Sequence, residues 1–257
     1  MLIIREEQMK AFEDVALRNF ENEMVEHIQQ FAPQQSEIIG EPGVRKVVKL
    51  GIDRAGNYDF TNKGPVRFYL ELMFMLGSDF DTDPQYPWVA EILNDQNIKD
   101  QMARAESLYN KFAEYAEKVL EPKNIYEKEA LHRITRQRLK DFPMLEDSFE
   151  NDVTRWLWEI YPEKCNYVGE PALTELVQNA RLEANNYGIN FCPGTTLVAL
   201  ALFAFGHGCL SDPQFPWIAE TLSDNSIVNP EEKAEKILLK MKSYCDNALG
   251  MMTDKRK

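Results

Sequence analysis

Apolar residues recur along this chain at three- and four-residue steps, the period of an amphipathic helix. Phe20, Met24, His27, Ile28 and Phe31 fall on one helical face, and Phe149, Val153, Trp156, Leu157 and Ile160 form a second such face further on. Pro33 and Pro162 close the two segments. The next helix is predicted to open at Gly40-Glu41-Pro42, because proline suits a first helical turn where its missing N–H is no loss, and to run to about Tyr58. A short loop, Phe60 to Gly64, leads into an apolar helix around Phe68 to Gly77. Its counterpart, Thr195 to Gly206, is apolar on nearly every side, which predicts a central helix surrounded by others. Gly77 and Gly206 stand where helix C-terminal caps favour glycine. Ile98, Met102, Ala105, Tyr109, Phe112, Ala116 and Val119 predict a packing stripe on a following helix, and Ala234, Leu238, Met241, Cys245 and Ala248 continue the pattern later. Glu121 to Lys128 reads as a linker, Pro143 should kink or split the helix it interrupts, and Thr253 to Lys257 should be disordered. No alternating β pattern of useful length is present.

These faces repeat at a fixed offset. Sliding the sequence by 129 positions aligns Phe20 to Leu120 with Phe149 to Leu249 without a gap, and 28 of the 101 aligned positions are identical. The longest match sets Asp83-Pro84-Gln85-Tyr86-Pro87-Trp88-Val89-Ala90-Glu91 against Asp212-Pro213-Gln214-Phe215-Pro216-Trp217-Ile218-Ala219-Glu220. The predicted fold is therefore all-α, a tandem duplication of a roughly five-helix domain whose copies, residues 1–122 and 129–250, are related by a pseudo-two-fold. Positions that both copies keep point to the fold. Positions that one copy changed are where a distinct function would sit.

Charge narrows the partners. The net charge is −13, and both halves are acidic: residues 1–128 carry 23 acids against 15 bases, and the remainder 19 against 14. Such a field repels nucleic-acid phosphates and anionic lipid and favours basic partners. The four cysteines, Cys165, Cys192, Cys209 and Cys245, all lie in the second copy. A disulfide framework would be expected in both copies of a duplicated secreted domain, so free thiols in a reducing cytoplasm are expected instead. The start of the chain has no apolar core long enough for a signal peptide, and the longest apolar run, Leu197 to Phe205, is far short of a membrane span.

No catalytic motif is present. There is no Gly-rich phosphate loop, HExxH or paired-carboxylate signature, and Cys192, His207 and Cys209 lack the pairing and the fourth ligand of a zinc site. Asp79, Asp81 and Asp83 have the alternating spacing of a calcium loop. Pro84 stands where that loop needs glycine, however, and Ala90 where it needs a bidentate glutamate. The repeated aromatic-Pro-Trp segment reads as a core anchor, with Trp88 and Trp217 buried and Asp83 and Asp212 bonding local backbone N–H groups. Trp158 departs from its helix. It lies two residues from Trp156, off the apolar stripe, where the other copy has Gln29. Such a tryptophan is either packed between the copies or exposed as a partner anchor. The second helix of copy one is basic through Arg45, Lys46, Lys49 and Arg54, where copy two has Glu175, Arg181 and Glu183.

The opening Ile4-Arg5-Glu6-Glu7-Gln8-Met9, the Phe20-Glu21 helix and the Asp83-Pro84…Pro87-Trp88 turn resemble an uncharacterised bacterial family encoded beside type VI secretion spike and effector genes. The resemblance covers the first copy best and brings no active site to individual residues. It implies a setting, that of an immunity protein or an effector-loading adaptor. The sequence is thus read as a cytoplasmic, non-enzymatic protein that binds a protein toxin or effector. It is expected to need no cofactor or metal and to bind neither nucleic acid nor membrane. Trp158 would be its anchor and Asp79 and Asp81 part of an acidic rim. The immunity role is favoured and the adaptor or chaperone role is second. The rival from another class is a metal-dependent hydrolase that uses the acidic loop.

Overall fold

The structure, a computed structural model, describes residues 6–120, 123–144 and 146–254. The described residues form helices and turns with no strand, so the chain is all-α. The helices in chain order are α1 (Glu6–Phe31), α2 (Pro33–Gly56), α3 (Lys63–Leu76), α4 (Pro87–Leu93), α5 (Gln101–Val119) and α6 (Ile125–Thr135). They continue with α7 (Phe149–Ile160), α8 (Pro162–Val168), α9 (Glu170–Asn186), α10 (Cys192–Phe205), α11 (Pro216–Leu222) and α12 (Pro230–Asp254).

Prolines and glycines set most of these boundaries. Pro33 and Pro162 each open a helix rather than merely ending one, a segment that periodicity alone did not separate. Both new helices break at a glycine with positive φ, Gly40 at +66° and Gly169 at +83°. Pro42 and Pro171 follow two residues later, in the first turn after the break. The break lies inside α2 in the first case and separates α8 from α9 in the second. Asp100 caps α5 by accepting from the Met102 and Ala103 amides at 3.3 and 3.2 Å, and Asn229 caps α12 by accepting from the Glu231 amide at 2.8 Å.

The core forms around α3 and α10. Leu197 to Phe203 are buried without interruption on α10, as expected of a helix apolar on every side. This helix packs against α9, α12 and α7, while α3 packs against α2, α5 and α1. All five predicted α7 positions, Phe149 through Ile160, are buried. Pro143 does interrupt the helical run: α6 ends at Thr135, a single 3-10 turn covers Leu139–Asp141, and α7 starts only at Phe149.

Three expectations need correction. The α5 stripe is rotated: Met102 and Tyr109 are exposed, and the helix buries Ala105, Leu108, Tyr115 and Val119 with the stem of Arg104. Arg104 faces inward because its guanidinium donates to the Tyr58 and Ile98 carbonyls at 2.6 Å each, and this pulls the packing face about one position away from the apolar count. The predicted linker 121–128 is helical from Ile125, because the Tyr126, Ala130, Leu131 and Ile134 side of α6 packs inward. The predicted disordered tail is helical through Asp254, and 255–257 lie outside the described residues.

Candidate functional site

The two Asp-Pro-Gln turns meet at the centre of the molecule and bond reciprocally. Gln85 Nε2 donates to the Leu202 carbonyl at 3.1 Å, and Gln214 Nε2 donates to the Met73 carbonyl at 2.8 Å. The His207 amide donates to Asp83 Oδ2 at 2.9 Å, and the Ser78 amide donates to Asp212 Oδ2 at 2.8 Å. Each aspartate also accepts from the glutamine amide of its own turn, as expected of Asp-Pro turns. All four turn residues are almost fully buried, so these bonds are shielded from water. Burial pushes the Asp212 carboxyl up, against the Gln214 and Ser78 donors that pull it down. Trp88 is buried beside this seam, whereas Trp217 is only half-buried, against Phe205 and Tyr244. Through these bonds the turns join segments more than 100 residues apart in the sequence.

The acidic loop is engaged internally as well. Asp79 pairs with Arg54, Asp81 accepts from Tyr69 Oη at 2.8 Å and Tyr58 Oη at 3.0 Å, and Asp83 belongs to the seam. Arg54 also reaches the Ser78 carbonyl, and the Asp79 carbonyl approaches His207 Nε2 at 3.2 Å. Asp79 and Asp81 share the Arg54 guanidinium while Asp83 faces the seam, so a protein cation and backbone donors already engage the three carboxylates. Among the described residues no cluster of three or more His, Cys, Asp or Glu side chains could hold a metal. The expected acidic rim is corrected accordingly: Asp81 is only 5% exposed, because Arg54 and two tyrosines draw it inward. Asp79 is half-buried against the same arginine. Burial, partial for Tyr58 and full for Tyr69, and then the adjacent Asp81 push the Tyr58 hydroxyl up to about 12 and that of Tyr69 further still, so both donate as neutral phenols.

Trp158 lies elsewhere. Its neighbours Trp156 and Leu157 are buried in α7, Trp156 against the Phe142 ring at 4.8 Å, while Trp158 is 39% exposed. Its side chain is thus partly exposed on a helix whose neighbouring positions are packed. Trp158, Asp79 and Asp81 are thus not gathered into one patch by any contact of these side chains. His27 is a paired imidazole, 2.7 Å from Glu71 Oε1. None of the four cysteines is in a disulfide, and Cys209 is buried as a small apolar side chain.

One concave feature was not anticipated. A cavity of about 650 Å³ opens between the end of α1, the start of α2, the ends of α3, α5 and α10, and helices α6, α8 and α12. Phe112, Tyr115, Tyr161, Phe205, Phe215 and Tyr244 wall it. Lys164 on α8 is 4% exposed, donates to the Phe203 carbonyl, and lies 4.9 Å from the Phe203 ring centre and 5.5 Å from that of Tyr86. Burial pulls its ammonium down to about 8, with Asp83 opposing from a distance. Glu127 on α6 also lines the cavity, and burial pushes its carboxyl up. One signal in the sequence points here: at the 129-residue offset, Lys164 stands where the first half has Gln35. No helix of the described residues is long and apolar enough to cross a membrane. Scans against protein-family models, curated proteins and solved structures return no match to this chain.

Proposed function

We propose that the chain is a tandem duplication, copies 1–122 and 129–250, that serves as a cytoplasmic, non-enzymatic protein-binding scaffold. In its favoured form it is an immunity protein that neutralises a toxin. The ungapped sequence offset supports the duplication, and so do the reciprocal bonds of Gln85 and Gln214 between positions 129 apart. The binding reading rests on Trp158. A tryptophan 39% exposed beside a fully packed Trp156 has the character of an interface anchor. The loop that the hydrolase reading would use is occupied by Arg54, Tyr58 and Tyr69, which disfavours that reading. The net charge of −13 suits a basic partner and a steered encounter.

The likeness of the opening segment and the Asp-Pro…Pro-Trp turn to proteins encoded beside secretion effectors supports the immunity role and keeps an adaptor role second. Binding kinetics with each protein encoded beside this chain, at two salt concentrations, test the reading. A partner should associate more slowly at high salt, and Trp158→Ala should speed its dissociation. An association rate indifferent to salt, with dissociation unchanged in Trp158→Ala, overturns it. Export of an unneutralised partner that depends on this chain selects the adaptor.

A further inference from the structure

We propose that the central cavity is a binding site for an apolar organic carboxylate, its body held by the aromatic walls and its anionic head by the Lys164 ammonium. Five observations carry this. The volume, about 650 Å³, falls within the range of small-molecule sites. The walls are ring-rich and apolar, with Tyr115, Tyr161 and Tyr244 adding hydroxyls whose protons burial holds in place. The charged side chains lining the cavity are Lys123, Lys128 and Lys164 against Glu127 alone, a positive balance inside a chain of net charge −13. Among the described residues no carboxylate stands within ion-pair distance of the Lys164 ammonium, which leaves a deeply buried cation with donor capacity to spare.

The fifth observation is comparative. Gln35 donates to the Phe74 carbonyl at 3.3 Å, and Lys164 donates to the Phe203 carbonyl, each 39 residues further along the chain. The pairs are related by the same 129-residue offset, and both donors line the cavity. An uncharged amide therefore makes this architectural bond where the fold alone requires it. The charge at Lys164 is surplus to the fold, and burying it carries a penalty that an anionic ligand would offset. Glu127 limits the site to one negative charge, since a second carboxylate would face it across the same cavity. This inference is independent of protein binding and stands or falls separately.

Calorimetric titration of the full chain with dodecanoate, dodecan-1-ol and dodecylamine tests it, each kept below its micelle concentration. Dodecanoate should bind at one per chain and more tightly than the other two. Lys164→Gln installs the residue used at the matching position and keeps the carbonyl bond. It should weaken dodecanoate at least about tenfold, because a buried charge partner is lost, and leave dodecan-1-ol within about twofold. Ala204→Phe, which fills part of the lining, should weaken all three probes, and it decides the matter should Lys164→Gln not fold. No dodecanoate binding, equal or tighter binding of the alcohol or the amine, or dodecanoate binding unaffected by either folded variant overturns the proposal.

Discussion

Gly77 and Gly206 face each other across the middle of the molecule, so closely that neither could carry a side chain. A Cβ on Gly77 would lie 2.6 Å from the Phe205 carbonyl oxygen, and one on Gly206 would lie 2.8 Å from that of Leu76. Both glycines end a central helix with positive φ, +101° and +95°, so conformation and contact impose the same requirement. The turns that follow them are clasped by the Gln85 and Gln214 bonds.

Gly77→Ala and Gly206→Ala should therefore each destabilise the fold by at least about 2 kcal/mol, positive-φ strain adding to a backbone clash. Denaturant melts of both single variants and the double variant check this. Because the two sites share one contact, the double variant should cost less than the sum of the singles. Melts indistinguishable from the parent would mean that the halves do not meet this way.

The tryptophans of α7 should behave oppositely. Trp156→Ala removes a buried side chain and should cost about 3–5 kcal/mol, while Trp158→Ala should stay within about 1 kcal/mol of the parent. Thermal unfolding of the two variants distinguishes a surface anchor from a packed residue at position 158.

The acidic loop gives a third test. Arg54→Met leaves the Asp81 carboxylate buried without its cation and should cost about 3 kcal/mol. Asp81→Asn should cost less, since it removes the stranded charge as well. Millimolar calcium should leave the Tm of the parent unchanged, because Arg54 already pairs with Asp79 and Asp81 and Asp83 is held by the His207 and Gln85 amides. A calcium-dependent rise in Tm would revive the hydrolase reading.

Lys164 makes stability depend on pH. Burial sets its folded-state value at about 8, below the ordinary 10.5. Between the two the unfolded chain holds the extra proton, so this group makes stability rise with pH across that window. Relative to the parent, Lys164→Gln should be stabilised most below pH 8, by up to about 3 kcal/mol, with the advantage gone near pH 10.5. Comparing urea midpoints of the two proteins across that range cancels the tyrosines and cysteines they share. A stability difference flat in pH would mean that Lys164 is not desolvated.

Much of this architecture was legible from periodicity and punctuation. The α7 face and the fully apolar α10 follow from spacing alone, and Gly77 and Gly206 mark their helix ends in both halves. The α5 face was misread because Arg104, a charged residue, turns inward to bond two carbonyls, which an apolar count cannot see. Asp79 and Asp81 looked like a surface acidic run, but their partners, Arg54, Tyr58 and Tyr69, lie at a distance in sequence. The cavity was invisible for the same reason: it is assembled from residues of eight helices, and only the substitution of lysine for glutamine between positions 35 and 164 hinted at it.

Protein binding is the central claim, and co-expression with each gene product encoded beside this chain tests it most directly. The account predicts that one such product stops growth when expressed alone, that this chain restores growth, and that Trp158→Ala restores it less well although it melts like the parent. No toxic neighbour, or a toxic neighbour that kills equally with and without this chain, would contradict the immunity reading.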